Sequence, residues 1–456
     1  MKRIFTIVLF ALSATLAGAQ AKYIFLFIGD GMGFGAVTLT EDYLSALNNA
    51  NQTGSGALAF STFPVSGFCT TYSASSWVTC SAASGTALAC GSKTRNGRIG
   101  MNEDATQSFT SIAYRLKENG YKVGITTSVS IDHATPSAFY AHQPSRNMYY
   151  EIAQDLAKSS FDFFSGAGLV SPTGKDKQQE SVFGLIAQSG YTVVRSLSDG
   201  KSSAAPKLLL LQPESKPQTA YPYVIDKSDD DYTLANTTSL AVEKLHNSKG
   251  FFLLVEGGKV DWASHDNDAG TMVREVTDLS DAVKVALDFY RKYPKQTLII
   301  ITADHETGGL GVGSSENNST SVAGLANQKA SVDKLARRLG EAGISYGALK
   351  AWLTENMGVA VSYDDEVMLR NLFAQNATPK PTSDDTPCTL KNTGAMGKAI
   401  MRVVSAKKGG SYSTFEHTGT MVPVYAIGEG SALFSGKIDN TDIPKKIAKA
   451  AKIEWK

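Results

Sequence analysis

The chain is poor in several features that would place a protein quickly. It has 4 cysteines and 6 histidines in 456 residues. No CxxC pair and no Cys/His finger spacing occurs, which excludes a structural zinc finger. Cys69, Cys80, Cys90 and Cys388 permit several disulfide pairings, and their spacing chooses none of them. Charge of one sign is also missing: 44 basic against 43 acidic residues leave a net charge of +1. That balance gives no electrostatic case for nucleic acid or an acidic membrane as the main partner. No apolar run reaches the ~20 residues a membrane-spanning helix requires. Proline is sparse, 14 against 41 glycines, as suits many tight strand–helix turns. What is present is a hydrophobic fraction of 42% with 19% charged residues, enough for a large core and incompatible with a disordered chain.

The N-terminus reads as an export signal. Lys2 and Arg3 form a basic start, Ile4 to Leu12 an apolar stretch, and small residues follow at Ala17, Ala19 and Ala21. The expected signal is 1–19, with 21 as the alternative cleavage point, and the working chain is 22–456. No cysteine follows either site, so no lipid anchor is expected. The protein is expected to be exported, periplasmic or secreted.

Along the rest of the chain, apolar runs alternate with amphipathic helical stretches. Expected buried strands are Tyr23–Ile28, Lys122–Thr127, Phe251–Glu256, Thr297–Thr302 and Pro423–Ile427. They are short, β-branched or aromatic, and lack alternation, as parallel strands covered on both faces do. Helical patterns occupy Asn147–Ala157, Leu234–His246 and Gly270–Tyr290. The alternation predicts a doubly wound α/β fold with chemistry at the carboxyl ends of the strands. Residues 166–232 and 310–415 break the rhythm. The second region, with helical segments Val332–Leu339 and Tyr346–Met357 and polar stretches between, reads as an inserted subdomain.

Ionisable residues gather at those strand ends. The first strand runs into Gly29-Asp30-Gly31, where glycines leave one carboxylate open. The third ends in Glu256-Gly257-Gly258, followed by Asp261 and His265, which one helical turn places on a common face. The next ends in Asp304-His305-Glu306. Each pair alone fits a capping carboxylate or a core histidine. Three strand ends together make a mixed nitrogen and oxygen donor set suited to Zn²⁺, with an all-oxygen position favouring Mg²⁺. Upstream, the small-residue run Thr79-Cys80-Ser81-Ala82-Ala83-Ser84-Gly85 predicts a tight helix with Ser81 near its N-terminus, where amides and dipole stabilise an anion.

These motifs resemble the metal-dependent alkaline phosphatase family. Asp30-Gly-Met, Thr79-Cys80-Ser81-Ala-Ala-Ser, Glu256-Gly with Asp261 and His265, and Thr302-Ala-Asp304-His305-Glu306-Thr-Gly-Gly occur in the family's order, between residues 23 and 419. The resemblance implies a three-layer α/β/α sandwich with a mostly parallel sheet and a crown-like insertion at 310–415. It also implies two zinc ions, one magnesium, a phosphoserine intermediate and a homodimer hydrolysing phosphate monoesters. By the same resemblance Ser81 is the nucleophile. One zinc is implied at Asp261, His265 and His417, the other at Asp30, Asp304 and His305. Magnesium is implied at Asp30, Glu256 and Thr135, and Arg146 is the phosphate clamp, a fork that suits two oxygens. His142 matches no ligand position and is expected to be structural; His246 is expected to be solvated.

The chain departs from one bacterial pattern of the family at three positions close to the implied site. Cys80 stands in place of an aspartate beside the nucleophile, His133 in place of an aspartate near magnesium, and Trp262 in place of a lysine that reaches phosphate through water. These changes bear on the third cation and on phosphate release, and Arg146 is expected to lack an anionic partner. A phosphodiesterase of the same superfamily and a zinc- or phosphate-binding protein are the alternatives; Arg146 and the intact Ser81 favour the monoesterase. No Cys/Ser-x-Pro-x-Arg segment exists, which disfavours a sulfatase.

Overall fold

A computed structural model describes residues 20–48, 58–313, 322–358 and 362–455. The expected signal segment lies outside the described residues. In chain order the main sheet takes β1 Tyr23–Gly29, β2 Val65–Thr70, β3 Lys122–Thr127, β4 Phe163–Gly166, β5 Tyr191–Val194, β6 Lys207–Leu211, β7 Phe251–Gly257, β8 Thr297–Thr302, β9 Val422–Gly428 and β10 Gly436–Asp439. Among the described residues their spatial order is β10-β2-β9-β8-β1-β7-β3-β4-β6-β5. β1 lies between β7 and β8 and is parallel to both. Only β9 runs against its neighbours, antiparallel to β8 and β2.

The central strands carry no polar face because helices cover both sides. β1, β7 and β8 are buried throughout. Successive residues of β7 meet different layers, as the two-residue period of a strand requires. Phe251 packs on Phe289 of the helix Ala269–Lys292, and Phe252 on Phe139. Helices Leu234–Leu245 and Ala269–Lys292 pack together on one side, and Ser81–Cys90 packs with Asp442–Ala450 on the other. The fold is the α/β class expected from the alternation.

Two departures from the sequence reading stand out. Residues 166–232 do not interrupt the sheet; they supply β5 and β6, which extend its parallel edge. These strands are four and five residues long, too short to impose a period against polar flanks. Strand Val422–Gly428 is antiparallel, a property of pairing that composition does not encode. Within 310–415, a second apolar cluster forms from residues between Ala330 and Val404, separate from the main core. Helices Val332–Leu339 and Tyr346–Met357 occur where their patterns place them.

Candidate active site

The parallel strands deliver their last residues to one edge of the sheet. Asp30 follows β1, Glu256 is the last residue but one of β7, Thr127 closes β3, and Asp304-His305 follow β8. Gly31 sits at φ +73, where a side chain would be strained, and an added Cβ would come within 2.8 Å of Thr307 Oγ1. The glycine is therefore what lets Asp30 approach the opposing segment.

Ser81 opens the helix Ser81–Cys90, with Cys80 as its N-cap residue. Its Oγ lies 3.2 Å from His305 Nε2. His305 Nε2 is in turn 3.2 Å from Asp304 Oδ2 and 3.4 Å from Asp30 Oδ1. Beside this group is a second one. His265 Nε2 stands 3.4 Å from Asp261 Oδ1 and 3.0 Å from His417 Nε2, and His417 Nε2 is 3.6 Å from the same Asp261 oxygen. His265 Nδ1 faces the carbonyl of Phe415, and His417 Nδ1 that of Thr79 at 3.0 Å. With Nδ1 committed to a carbonyl, each Nε2 is left as the lone-pair nitrogen a metal needs. A third group joins Asp30, Glu256 and His133, and Thr135 Oγ1 donates to Asp30 Oδ2 at 3.4 Å. Arg146 Nη2 is 3.3 Å from His133 Nε2, and among the described residues no carboxylate lies within ion-pair distance of Arg146.

The structure thus brings together Asp30, Ser81, His133, Thr135, Arg146, Glu256, Asp261, His265, Asp304, His305 and His417. Trp262 lines the same cleft of about 470 Å³. Cys80 instead accepts a hydrogen bond from the Gly97 amide through its sulfur at 3.0 Å. All four cysteines are free thiols, so none of the disulfide pairings forms. Ser84 Oγ donates to the Asp304 carbonyl at 2.6 Å and accepts from Asn440 at 3.0 Å, a bracing role. His142 bonds the Phe109 carbonyl, as a structural residue does. His246 is exposed but rests against Tyr23, Phe289 and Tyr293.

Several residues of the site were not singled out from sequence. Thr127 is paired in register with Glu256 across β3 and β7 and donates to its Oε2. Its position at a strand end was the available signal. Thr307 Oγ1 bonds Asp261 Oδ1 at 2.5 Å and lies 3.2 Å from His305 Nδ1. Asp333 and Lys398 reach the cleft from the 310–415 region of the same chain, and nothing local marked them. Lys398 Nζ pairs with Asp266 at 2.9 Å.

The electrostatics demand cations. Burial raises the Asp30 carboxyl well above its ordinary range, and Asp304, Asp261 and Glu256 push it further. Burial lifts Glu256 to about 8 and Asp304 to about 7. His305 is held far below the usual imidazole value by burial and the neighbouring histidines, and His133 is lowered to about 3 by burial and Arg146. Both rings are therefore neutral, the ligand form. Asp30 Oδ1, Glu256 Oε1 and Asp304 Oδ2 are buried without a hydrogen-bond partner. Orphaned oxygens of this kind are expensive unless a cation joins them, so the donor set fits bound metal.

One consequence is measurable. In metal-free protein the folded carboxyls of Glu256 and Asp304 hold protons up to about pH 8 and 7, whereas unfolded ones ionise near pH ~4. The folded state then binds more protons, so stability falls as pH rises through that window. The Tm of chelated protein should drop from about pH 4 to pH 8, and the rise in Tm on adding divalent metal should be largest at the alkaline end. A flat Tm for chelated protein across this range would contradict the electrostatic reading.

Comparison with known proteins agrees with this geometry. The family model described as alkaline phosphatase matches residues 21–163 and 178–453. Alkaline phosphatase 3 of Bacillus subtilis (strain 168) is 30% identical over 440 residues, covering 94% of this chain and 89% of that protein. The crystal structure of a cold-active alkaline phosphatase from a psychrophilic Shewanella sp. superposes with a TM-score of 0.79 at 30% identity, covering 94% of this chain and 99% of that one. A structure of the TAB5 alkaline phosphatase, a histidine-to-glutamate variant with Mg bound in its M3 site, gives a TM-score of 0.67 at 27% identity, covering 96% and 99%.

Proposed function

The chain belongs to the alkaline phosphatase family, a metal-dependent family of phosphomonoesterases, and from that premise we infer that it works through a phosphoserine on Ser81. The observation that carries this reading is the Ser81 hydroxyl, at a helix N-terminus and 3.2 Å from His305 Nε2, beside two donor groups of metal-ligating type. One zinc would be held by Asp261, His265 and His417, the other by Asp30, Asp304 and His305, and a magnesium by Asp30, Glu256 and Thr135. The magnesium named for the TAB5 variant supports a third site of this kind. Bound there, these ions supply Lewis-acid stabilisation of developing negative charge on the serine and leaving oxygens.

The residues of the chain do the rest. Ser81 gives up its hydroxyl proton to solvent, its Oγ attacks phosphorus in line, the new P–O bond forms, and the bond to the leaving alkoxide breaks, the alkoxide taking up a proton from water. Arg146 spreads charge on the non-reacting oxygens, where electrostatic stabilisation counts most in phosphoryl transfer. The helix N-terminus behind Ser81 favours its anionic form. Water then cleaves the phosphoserine, releasing phosphate and restoring the hydroxyl. His133, whose Nε2 accepts from Arg146 Nη2 at 3.3 Å, orients the guanidinium beside the third position.

The protein is further proposed to be exported through its N-terminal segment to the periplasm or the exterior. It is proposed to form a homodimer in which part of residues 310–415 packs on the second copy. Among the described residues no helix is long and apolar enough to cross a membrane.

Metal content by mass spectrometry, paired with monoester and diester assays before and after chelation, tests the reading. Close to three divalent ions per chain, hydrolysis strongly favouring the monoester and loss of both metal and activity on chelation are expected. Turnover surviving complete metal removal, or preference for the diester, would contradict it.

A further inference from the structure

A second cleft, of about 400 Å³, adjoins the catalytic one. Tyr223, Trp262 and Asp333 line both, so the two are joined through a common wall. Aromatic rings form part of that wall, and the Lys259 ammonium lies 5.9 Å over the Trp262 ring. Trp262 meets His133 edge-on, with ring centres 6.1 Å apart. The Lys259 ammonium, 3% exposed, sits 3.4 Å over the Tyr223 ring and donates to the Tyr221 carbonyl at 2.8 Å. It pins two tyrosines of the second cleft in place.

Most of the charge there is already neutralised in pairs. Lys334 is 3.2 Å from Asp226, and Lys216 is 2.8 Å from Asp231. Arg337, on the same helix as Asp333 and Lys334, is exposed and among the described residues has no ion-pair or side-chain hydrogen-bond partner. Paired charges and hydroxyls make the cleft a poor host for an aliphatic tail, which would strip them of solvent. They likewise create no strong field for a second polyanion. A fixed indole, hydrogen-bonding groups of both kinds and one free planar guanidinium suit a flat ring with donors and acceptors on its edge.

Resting on the reading of Ser81 and Arg146 as the reacting centre, we propose that this second cleft is a leaving-group subsite for the base of a nucleoside 5′-monophosphate. Trp262 offers the stacking face and Arg337 contacts the ring. Asp333, from the 310–415 region, lies on the border that the two clefts share. The insertion thereby selects the alcohol half of the substrate while the strand ends process the phosphoryl half.

A pair of esters isolates the base. Ribose 5-phosphate and adenosine 5′-monophosphate share the sugar and the leaving oxygen and differ in the ring. With the intact metal-loaded enzyme, kcat/KM should be about tenfold higher for the nucleotide, the size of one base–aromatic stack. Arg337→Ala, an exposed change far from the metal ligands in sequence, should cut that ratio about threefold and leave ribose 5-phosphate turnover unchanged. Free adenosine should inhibit ribose 5-phosphate hydrolysis competitively, and less so in the variant. Equal kcat/KM for the two esters, or a ratio unmoved in both Arg337→Ala and Arg337→Glu, would overturn the subsite. Absence of turnover on either ester would instead overturn the reacting centre, so the two failures are distinguishable.

Discussion

Ser81→Ala should abolish the covalent phosphoenzyme and reduce kcat by roughly three to six orders of magnitude, the range expected when a nucleophile is removed and binding remains. Its Oγ is 3.2 Å from His305 Nε2, yet Ser81 completes neither donor group: Asp30, Asp304 and His305 are mutually within reach without it. Metal content should therefore stay close to wild type. The check is an acid quench with radiolabelled phosphate, together with metal analysis of the same sample. Ser84→Ala serves as the control. Its hydroxyl is committed to the Asp304 carbonyl and Asn440, so label should persist there. Acid-stable label in Ser81→Ala would move the nucleophile to Ser84, and acid-labile label would point to the Cys80 thiol.

Asp30→Asn should have the second largest effect, with opposite signs on two properties. Asp30 belongs to two of the three donor groups, so one neutralised carboxylate weakens two cations at once. Bound metal should fall toward one ion per chain, and kcat/KM should drop by about three orders of magnitude or more. Without metal the sign reverses. Asp30 is fully buried and repelled by Asp304, Asp261 and Glu256; an amide of the same shape removes that repulsion while still accepting from Thr135. Chelated Asp30→Asn should melt at a higher temperature than chelated wild type at pH 8, and the loaded variant at a lower temperature than loaded wild type. Scanning calorimetry on the four samples decides it. A chelated variant less stable than chelated wild type would show that Asp30 is retained for packing and not for charge.

Much of this was legible in the residues themselves. The run Tyr23-Ile24-Phe25-Leu26-Phe27-Ile28 is short, β-branched and aromatic with no polar face left to meet water, which favours a strand buried on both sides. Once that strand is central, Asp30 must emerge at its carboxyl end, and the same holds for Glu256 after Phe251–Val255 and Asp304 after Thr297–Thr302. Asp261 and His265 face one another because they are one helical turn apart. Such statements depend on local period and sign of charge, which a linear string carries.

Apart from what the family resemblance implied, only the tertiary structure decided which distant pieces share the site, since that depends on pairing and not on period. His417 meets His265 at 3.0 Å across 152 residues of chain. It does so because its short strand His417–Thr418 runs antiparallel to Glu306–Thr307. Thr127 reaches Glu256 through the register of β3 on β7, and a one-residue slip would turn it to the other face. Asp333 and Lys398 enter the cleft because a separately packed cluster sets their helices over it. The raised carboxyls of Glu256 and Asp304 follow from burial and crowding that neither residue's neighbours in sequence impose. The identities of the donors belong to the sequence. Their convergence, their desolvation and therefore their demand for cations belong to the fold, because free energies of burial and charge are set by what surrounds an atom in space.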